Sequence, residues 1–314
     1  MTEGTVLAAA LWLALAIDRW LGEPPVRLHP VVGMGAWLGG VGRRIAPVPG
    51  DARRAGPFVA GALAWLVGAL AVAALGGAVQ RGAAALPPLL AVPLLALCLK
   101  PLLAWRLLRD EVAAVEAALA RSLPEGRERL ARLVSRDVTA LDAGAVRESA
   151  IESLAENLND SVVAPLFWFA VAGLPGAALY RFANTADAMW GYRGERGGRD
   201  WTWAGKWAAR ADDVLSWLPA RITAALLALA AWRWPRGLAR EARCTPSPNG
   251  GWPMGAMALL LGVRLRKPGV YALHAAGRAP QAADTARALA LAGRAVVGGA
   301  VVATLALGGM AWWA

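Results

Sequence analysis

Cysteine is scarce in this chain: Cys98 and Cys244 stand alone and far apart. Without paired spacing they make neither a disulfide framework nor a cysteine-based metal site. Charge is scarce too. Only 18% of the 314 residues are Asp, Glu, Lys or Arg, where a soluble domain carries about a quarter. Residues 56–80, 82–99, 161–180 and 295–314 hold no charge at all. A bilayer core needs roughly 20 apolar helical residues, so an ordinary soluble domain is excluded and an integral membrane protein is indicated. The segment 5–17 lacks a basic n-region and a small-residue cleavage site, which argues against a signal peptide and for a retained helix. Alternating β-branched runs and fixed-period repeats are also absent, and helical periodicity dominates, so the expected fold is all-α.

Acidic residues are outnumbered, 22 against 33 basic ones, for a net charge of +11. Basic loops fit the positive-inside tendency and attraction to anionic lipid, and they can draw in an anionic ligand. Nucleic acid is not an expected partner, because the arginines are dispersed and the tryptophans lie mostly in apolar contexts.

These patterns predict a single polytopic integral membrane domain, 1–314. Membrane helices are expected near 5–17, 56–79, 83–107, 161–180, 214–232 and 295–313. Cytoplasmic loops are expected over 18–55, 108–160, 181–213 and 233–294. Residues 56–79 and 83–107 read as a helical hairpin turning at Arg81-Gly82. Residues 109–133 read as two amphipathic surface helices broken at Pro124-Glu125-Gly126. Segment 161–180 is long enough to span, yet it contains Pro165 and Gly173-Leu174-Pro175-Gly176. Irregular backbone at membrane depth needs cover from protein or a water-filled cavity, so a broken or re-entrant element is preferred over a simple span. The segment beginning at Val214 is interrupted by Pro219 and Arg221.

Four polar clusters interrupt this apolar pattern. In 18–35, Asp18, Glu23 and His29 follow the first helix in a proline-stiffened loop, which is either a membrane-exit turn or part of a site. In "RESAIESLAENLND", 147–160, helical spacing puts Glu152, Glu156 and Asp160 on one face. Like charges there repel unless a cation sits among them, and hard oxygen ligands suit Mg²⁺ together with substrate phosphates. A solvated face paired with Arg136 and Arg147 is the equal alternative. In 184–221, Asn184 and Asp187 lie one turn apart, Asp212-Asp213 follow Arg210 and precede Arg221, and a glycine-rich loop joins them. Such a loop either holds anionic groups bridged by metal or is simply mobile. No Walker A or kinase signature accompanies it. In 247–271, Asn249-Gly250-Gly251 forms a tight turn before an apolar run and a basic Arg264-Arg266-Lys267 patch. Polar groups beside lipid segments are costly unless they serve a cavity, which favours function for the set as a whole.

"GEP" with "HPV"; "SRD", "ESAIESLAEN" and "APLFW"; "GLPGA" with "NTADAMWGY"; "ARADDVLSWLPAR"; and "SPNGGWPM" with "KPGVY" occur in one order across residues 18–271. The chain thereby resembles the adenosylcobinamide-phosphate synthase family of cobalamin biosynthesis (CobD/CbiB). Ser161 and Ser216 stand where that family commonly has glycine and asparagine.

The resemblance implies an ATP- and Mg²⁺-dependent amide ligase of the inner membrane. It would join the ring-D propionate of adenosylcobyric acid to (R)-1-amino-2-propanol phosphate or a related amino alcohol in a polar cavity facing the cytoplasm; an acyl phosphate is the route expected on chemical grounds, because a carboxylate does not acylate an amine unaided. Expected catalytic residues are His29, Glu152, Glu156, Asp187 and Arg210. Expected ligand-binding residues are Arg136, Arg147, Asn157, Asn184, Arg193, Lys206, Arg221 and Asn249. Expected metal ligands are drawn from Glu152, Glu156, Asp160, Asp187, Asp212 and Asp213. Membrane lipid is an implied partner, with a homo-oligomer or association with later corrinoid-pathway membrane enzymes as implied assemblies. The competing readings are a transporter, whose broken helix would form the site, and a non-catalytic corrinoid-binding membrane protein.

Overall fold

The computed structural model describes residues 2–51 and 53–310. Its helices are α1 Glu3–Leu21, α2 Pro30–Ile45, α3 Ala55–Ala84, α4 Pro88–Leu99, α5 Trp105–Leu119, α6 Leu123–Leu130, α7 Ala143–Leu158 and α8 Ala164–Trp190. They continue as α9 Lys206–Leu215, α10 Trp217–Ala230, α11 Leu238–Ala242, α12 Gly251–Leu261 and α13 Ala282–Met310. Two short antiparallel hairpins decorate this all-α frame, β1 Glu195–Arg196 with β2 Arg199–Asp200, and β3 Leu265–Lys267 with β4 Tyr271–Leu273. Among the described residues five helices are long and apolar enough to cross a membrane, or six if α9 and α10 form one broken span. The last expected span, 295–313, is the C-terminal part of the longer α13; its residues 311–313 lie outside the described residues.

Contacts divide the chain into two compact units. The first comprises 1–103, 164–216 and 303–314. Here α1 packs on α4, and α8 packs on α2, α3 and α9. Gly68 and Gly76 of α3, two turns apart on one face, let α8 approach closely. A Cβ at Gly68 would meet the Phe182 ring, and one at Gly76 would meet the Pro175 backbone. Small residues at such seams replace the hydrophobic driving force that lipid removes.

The break expected within 161–180 is present. Ala172 and Gly173 leave helical geometry, with Gly173 at φ +64°, a conformation that only glycine adopts without steric cost. The N–H of Leu174, freed by the break, donates to Gln80 Oε1 at 2.8 Å, and Gln80 Nε2 donates to Glu3 Oε1 at 3.0 Å. A side chain from α3 thus satisfies the backbone that a broken membrane helix exposes.

Three expected boundaries shift. The α3–α4 turn is at 85–87 and not at Arg81-Gly82, which remain helical; Pro88 at the first position of α4, after Pro87, sets the new start. The α5–α6 break falls at 120–122, where Ser122 caps α6 by accepting from Glu125 N–H, and Pro124 lies inside the first turn. The helix expected from Val214 is two: α9 ends at Leu215, and buried Ser216, whose hydroxyl bonds Tyr180 at 3.0 Å, precedes α10. Pro219 does not interrupt α10, because in the first turn it removes no helical hydrogen bond.

The second unit comprises 104–163 and 217–302. Its centre is α7, packed by α5, α6, α12 and β3. A wide π-turn, 159–163, follows α7. It leaves the Asn159 side chain buried, accepting from Thr223 Oγ1 at 3.1 Å, while the Ser161 carbonyl accepts from Ala104 N–H at 3.1 Å.

Candidate active site

The second unit encloses a cavity of about 290 Å³ whose lining includes Arg136, Glu152, Glu156, Asn157, Lys267 and Tyr271. Helix α7 supplies Glu152 and Glu156 one turn apart, so both carboxylates face the cavity. Arg136 comes from the loop before α7, and Lys267 and Tyr271 are a cross-strand pair of the β3–β4 hairpin. Such pairs project to the same face of a ribbon, which brings a cation and a phenol to the wall together. Ser247, which also lines the cavity, accepts from the N–H groups of Asn249 and Gly250 at 3.2 Å each, shaping the turn before α12.

Arg136 Nη2 donates to Glu152 Oε1 at 2.7 Å. The Tyr271 hydroxyl donates to the same oxygen at 2.5 Å. Glu152 is 2% exposed, and its second oxygen, Oε2, is buried with no hydrogen-bond partner among the described residues, as is Arg136 Nη1. Burial and the adjoining Glu152 carboxylate push the Tyr271 phenol above its ordinary range, so it stays a donor. Asn157 Nδ2 donates to the Ser153 carbonyl at 3.0 Å and to its hydroxyl at 3.2 Å. The wall therefore gathers two cations and two carboxylates, of which Arg136 and Glu152 are paired, and leaves one buried acceptor and one buried donor unmatched.

Asp160 follows on the π-turn after α7, where Asn159 Nδ2 donates to it at 2.7 Å and its charge acts on Glu156. Among the described residues no three His, Cys, Asp or Glu side chains gather into a metal cluster. A cation at the cavity would rest on Glu152 and Glu156 with ligand phosphates, the arrangement Mg²⁺ commonly takes.

Other candidates of this unit have structural partners. Arg147 grips Glu116 with bonds of 2.7–3.0 Å, and Thr285 adds a donor to Glu116 at 2.8 Å. Arg221 donates to Asn249 Oδ1 at 3.0 Å and stacks on Trp217 and Trp252 at 4.3 and 4.8 Å from the ring centres. The expected ligand-binding pair Arg221 and Asn249 thus ties α10 to the Asn249-Gly250-Gly251 turn.

In the first unit, Asn184 Nδ2 reaches Asp212 Oδ1 at 3.4 Å, and Arg181 Nη1 reaches Asn184 Oδ1 at 3.5 Å. Asp213 lies in the field of Arg210 and Arg193. The Asp187 carbonyl accepts from Gly191 N–H at 2.7 Å, closing α8 into the loop. That glycine-rich loop is pinned: Asp200 N–H donates to the Pro47 carbonyl at 2.9 Å, and Arg199 to the Ala46 carbonyl at 3.0 Å. Lys206 sits 4.0 Å over the Trp203 ring. His29 caps α2, its Nδ1 accepting from Val31 N–H at 3.3 Å, while Nε2 pairs with Glu23 Oε2 at 3.1 Å. Glu23 Oε2 also meets Lys100 Nζ at 2.7 Å, and Asp18 lies 3.4 Å from the same ammonium.

Sequence reasoning missed Lys100 and Tyr271. Lys100 carried a readable signal, the first charge after the apolar 82–99 run, and ionisable groups at such depth are functional candidates by default. Tyr271 closes the "KPGVY" motif, but its role was not legible there, because its partner Glu152 is 119 residues away in the chain.

No solved structure matches this chain. Its curated relatives include the probable cobalamin biosynthesis protein CobD of Methanothermobacter thermautotrophicus, 39% identical over 84% of this chain and 86% of that one. The probable CobD of Thermococcus kodakarensis is 41% identical over 94% of both chains. The cobalamin biosynthesis protein CobD of Rhodobacter capsulatus is 41% identical over 93% of this chain and 94% of its own. The family model for CobD/Cbib protein matches residues 11–295, a span holding every candidate residue above, and the chain belongs to that family.

Proposed function

We propose that this protein is the ATP-dependent amide ligase of cobalamin biosynthesis that joins the propionate of adenosylcobyric acid to (R)-1-amino-2-propanol phosphate or a related amino alcohol. Family membership supports the reading. The observation that carries it is the cavity of the second unit, where Arg136 and Lys267 face Glu152 and Glu156 and one oxygen of Glu152 is buried without a partner.

A carboxylate does not acylate an amine unaided, since oxide is no leaving group. In the proposed sequence the propionate oxygen attacks the terminal phosphorus of ATP and ADP departs. The amine nitrogen then attacks the carbonyl carbon, and phosphate leaves carrying one former carboxylate oxygen. Phosphoryl transfer asks chiefly for positioning and charge neutralisation. Arg136 and Lys267 are suited to phosphate oxygens, and Asn157 and Ser247 offer hydrogen bonds at the wall. Glu152 and Glu156 would hold Mg²⁺, which when bound neutralises phosphate charge. The proton lost by the ammonium goes to whichever of these two carboxylates the metal leaves free, because both ring nitrogens of His29 are engaged. The reading also takes Asp187 and Arg210 as participants, with Asn184, Arg193, Lys206, Asp212 and Asp213 as ligand contacts in the first unit. It places the enzyme in the inner membrane with its chemistry on the cytoplasmic side, where ATP is.

The test is direct. Purified protein in detergent, given adenosylcobyric acid, the amine and Mg·ATP, yields a corrinoid heavier by the amine less water. With oxygen-labelled cobyric acid, the released phosphate carries label; unlabelled phosphate excludes the acyl phosphate.

A further inference from the structure

Glu152 is held asymmetrically. Both of its donors, Arg136 Nη2 at 2.7 Å and the Tyr271 hydroxyl at 2.5 Å, converge on Oε1. Its side chain is 3% exposed, and Oε2 is buried with no partner among the described residues. Two donors on one oxygen fix the rotation of the carboxylate about its last bond, so the lone pairs of the other oxygen keep one direction. The phenol is itself held in place. Tyr271 is paired in register with Lys267 across the hairpin, and its hydroxyl also lies 3.7 Å from Met254 Sδ, in the wall of the same cavity.

We propose that Tyr271 is a positioning residue for the ligation: with Arg136 it pins Oε1 of Glu152, so that Oε2 is aimed at a cation of the bound substrates. That cation is either the ammonium of the amino alcohol or a divalent ion on the phosphates. The proposal rests on the ligase reading. It assigns no bond-making step to Tyr271, whose hydroxyl keeps its proton throughout.

Tyr271→Phe removes the hydroxyl and keeps the ring. Loss of an outer-shell partner of this kind costs about 10-fold to 100-fold, so kcat/KM falls at least tenfold or so. The Michaelis constant for adenosylcobyric acid stays near the wild-type value, and so does the thermal unfolding midpoint. If Oε2 receives the ammonium, the KM for the amine rises; if it receives the divalent ion, the half-saturating Mg²⁺ concentration rises. Tyr271→Leu, which removes the ring as well, is no more than marginally worse in turnover. A role in packing alone predicts the opposite ranking, with Tyr271→Phe matching wild type and Tyr271→Leu impaired. Wild-type kinetics in Tyr271→Phe, or a loss accompanied by a lowered unfolding midpoint and a shift in every KM, overturns the assignment. Absence of amide product from the wild-type protein overturns the ligase reading itself, whereas an active wild type matched by Tyr271→Phe removes only the role of Tyr271.

Discussion

Arg136 and Glu152 share a single hydrogen bond, Nη2 to Oε1 at 2.7 Å, although each has a second buried polar atom in reach of the cavity. Removing one partner of a buried pair strands the other, at a cost of about 3–5 kcal/mol. Tyr271 still donates to Glu152 in Arg136→Met, so the lower end, about 3 kcal/mol, is expected. Glu152→Gln should cost less, since the exposed part of Arg136 remains solvated. Denaturation in mixed micelles measures both; equal stability of Arg136→Met and wild type would contradict the burial argument.

Lys100 is the second buried charge with consequences. It sits between Glu23 and Asp18 and is 2% exposed. Lys100→Met is expected to lose roughly 3 kcal/mol. Adding Glu23→Gln should recover part of it, because residues in one network do not behave additively. Strict additivity of the two losses would show that the three charges act independently.

Gly173 is predicted to resist any side chain. At φ +64° a Cβ is strained, and it would also meet the Gln80 amide. Gly173→Ala should lower stability by about 1–3 kcal/mol. Gln80→Leu should cost a comparable amount by leaving the Leu174 N–H unpaired. Melting curves of the two variants, and of their combination, check this.

His29 should tolerate replacement by another cap. Asparagine caps helices well, whereas alanine loses about 1 kcal/mol. His29→Asn is therefore expected to keep wild-type turnover across pH and His29→Ala to lose stability first. A collapse of turnover in a stable His29→Asn protein would return the imidazole to the reaction.

The broken helix makes a topological prediction. If the segment around Ala172-Gly173 turns back, single cysteines introduced at 145 and 200 react equally with a membrane-impermeant label from the cytoplasmic side. Labelling of one from each side would establish a crossing.

What could be read in advance followed locality. Charge-free runs located the long helices, and Gly173-Leu174-Pro175-Gly176 located the break, because bilayer length and glycine or proline geometry act over a few residues. Turns were misplaced by a few positions where two local signals competed, as when Arg81-Gly82 looked like a corner but Pro87-Pro88 made one. The acidic face of α7 was visible from helical spacing, although nothing in the residue pattern announces the π-turn on which Asp160 lies. Long-range partners were invisible: the Tyr271 bond to Glu152, and the engagement of Arg147 by Glu116 and of Arg221 by Asn249, depend on how distant segments pack.

The cavity wall is formally electroneutral, with Arg136 and Lys267 balancing Glu152 and Glu156. A polyanion entering such a space finds no surplus of positive charge to neutralise it. On the proposed ligase reading it would bring its own counter-ion, so that each of anion and cation would raise the affinity for the other. On that reading, charge balance in the wall would favour the metal-bound form of a phosphate ligand over the bare one.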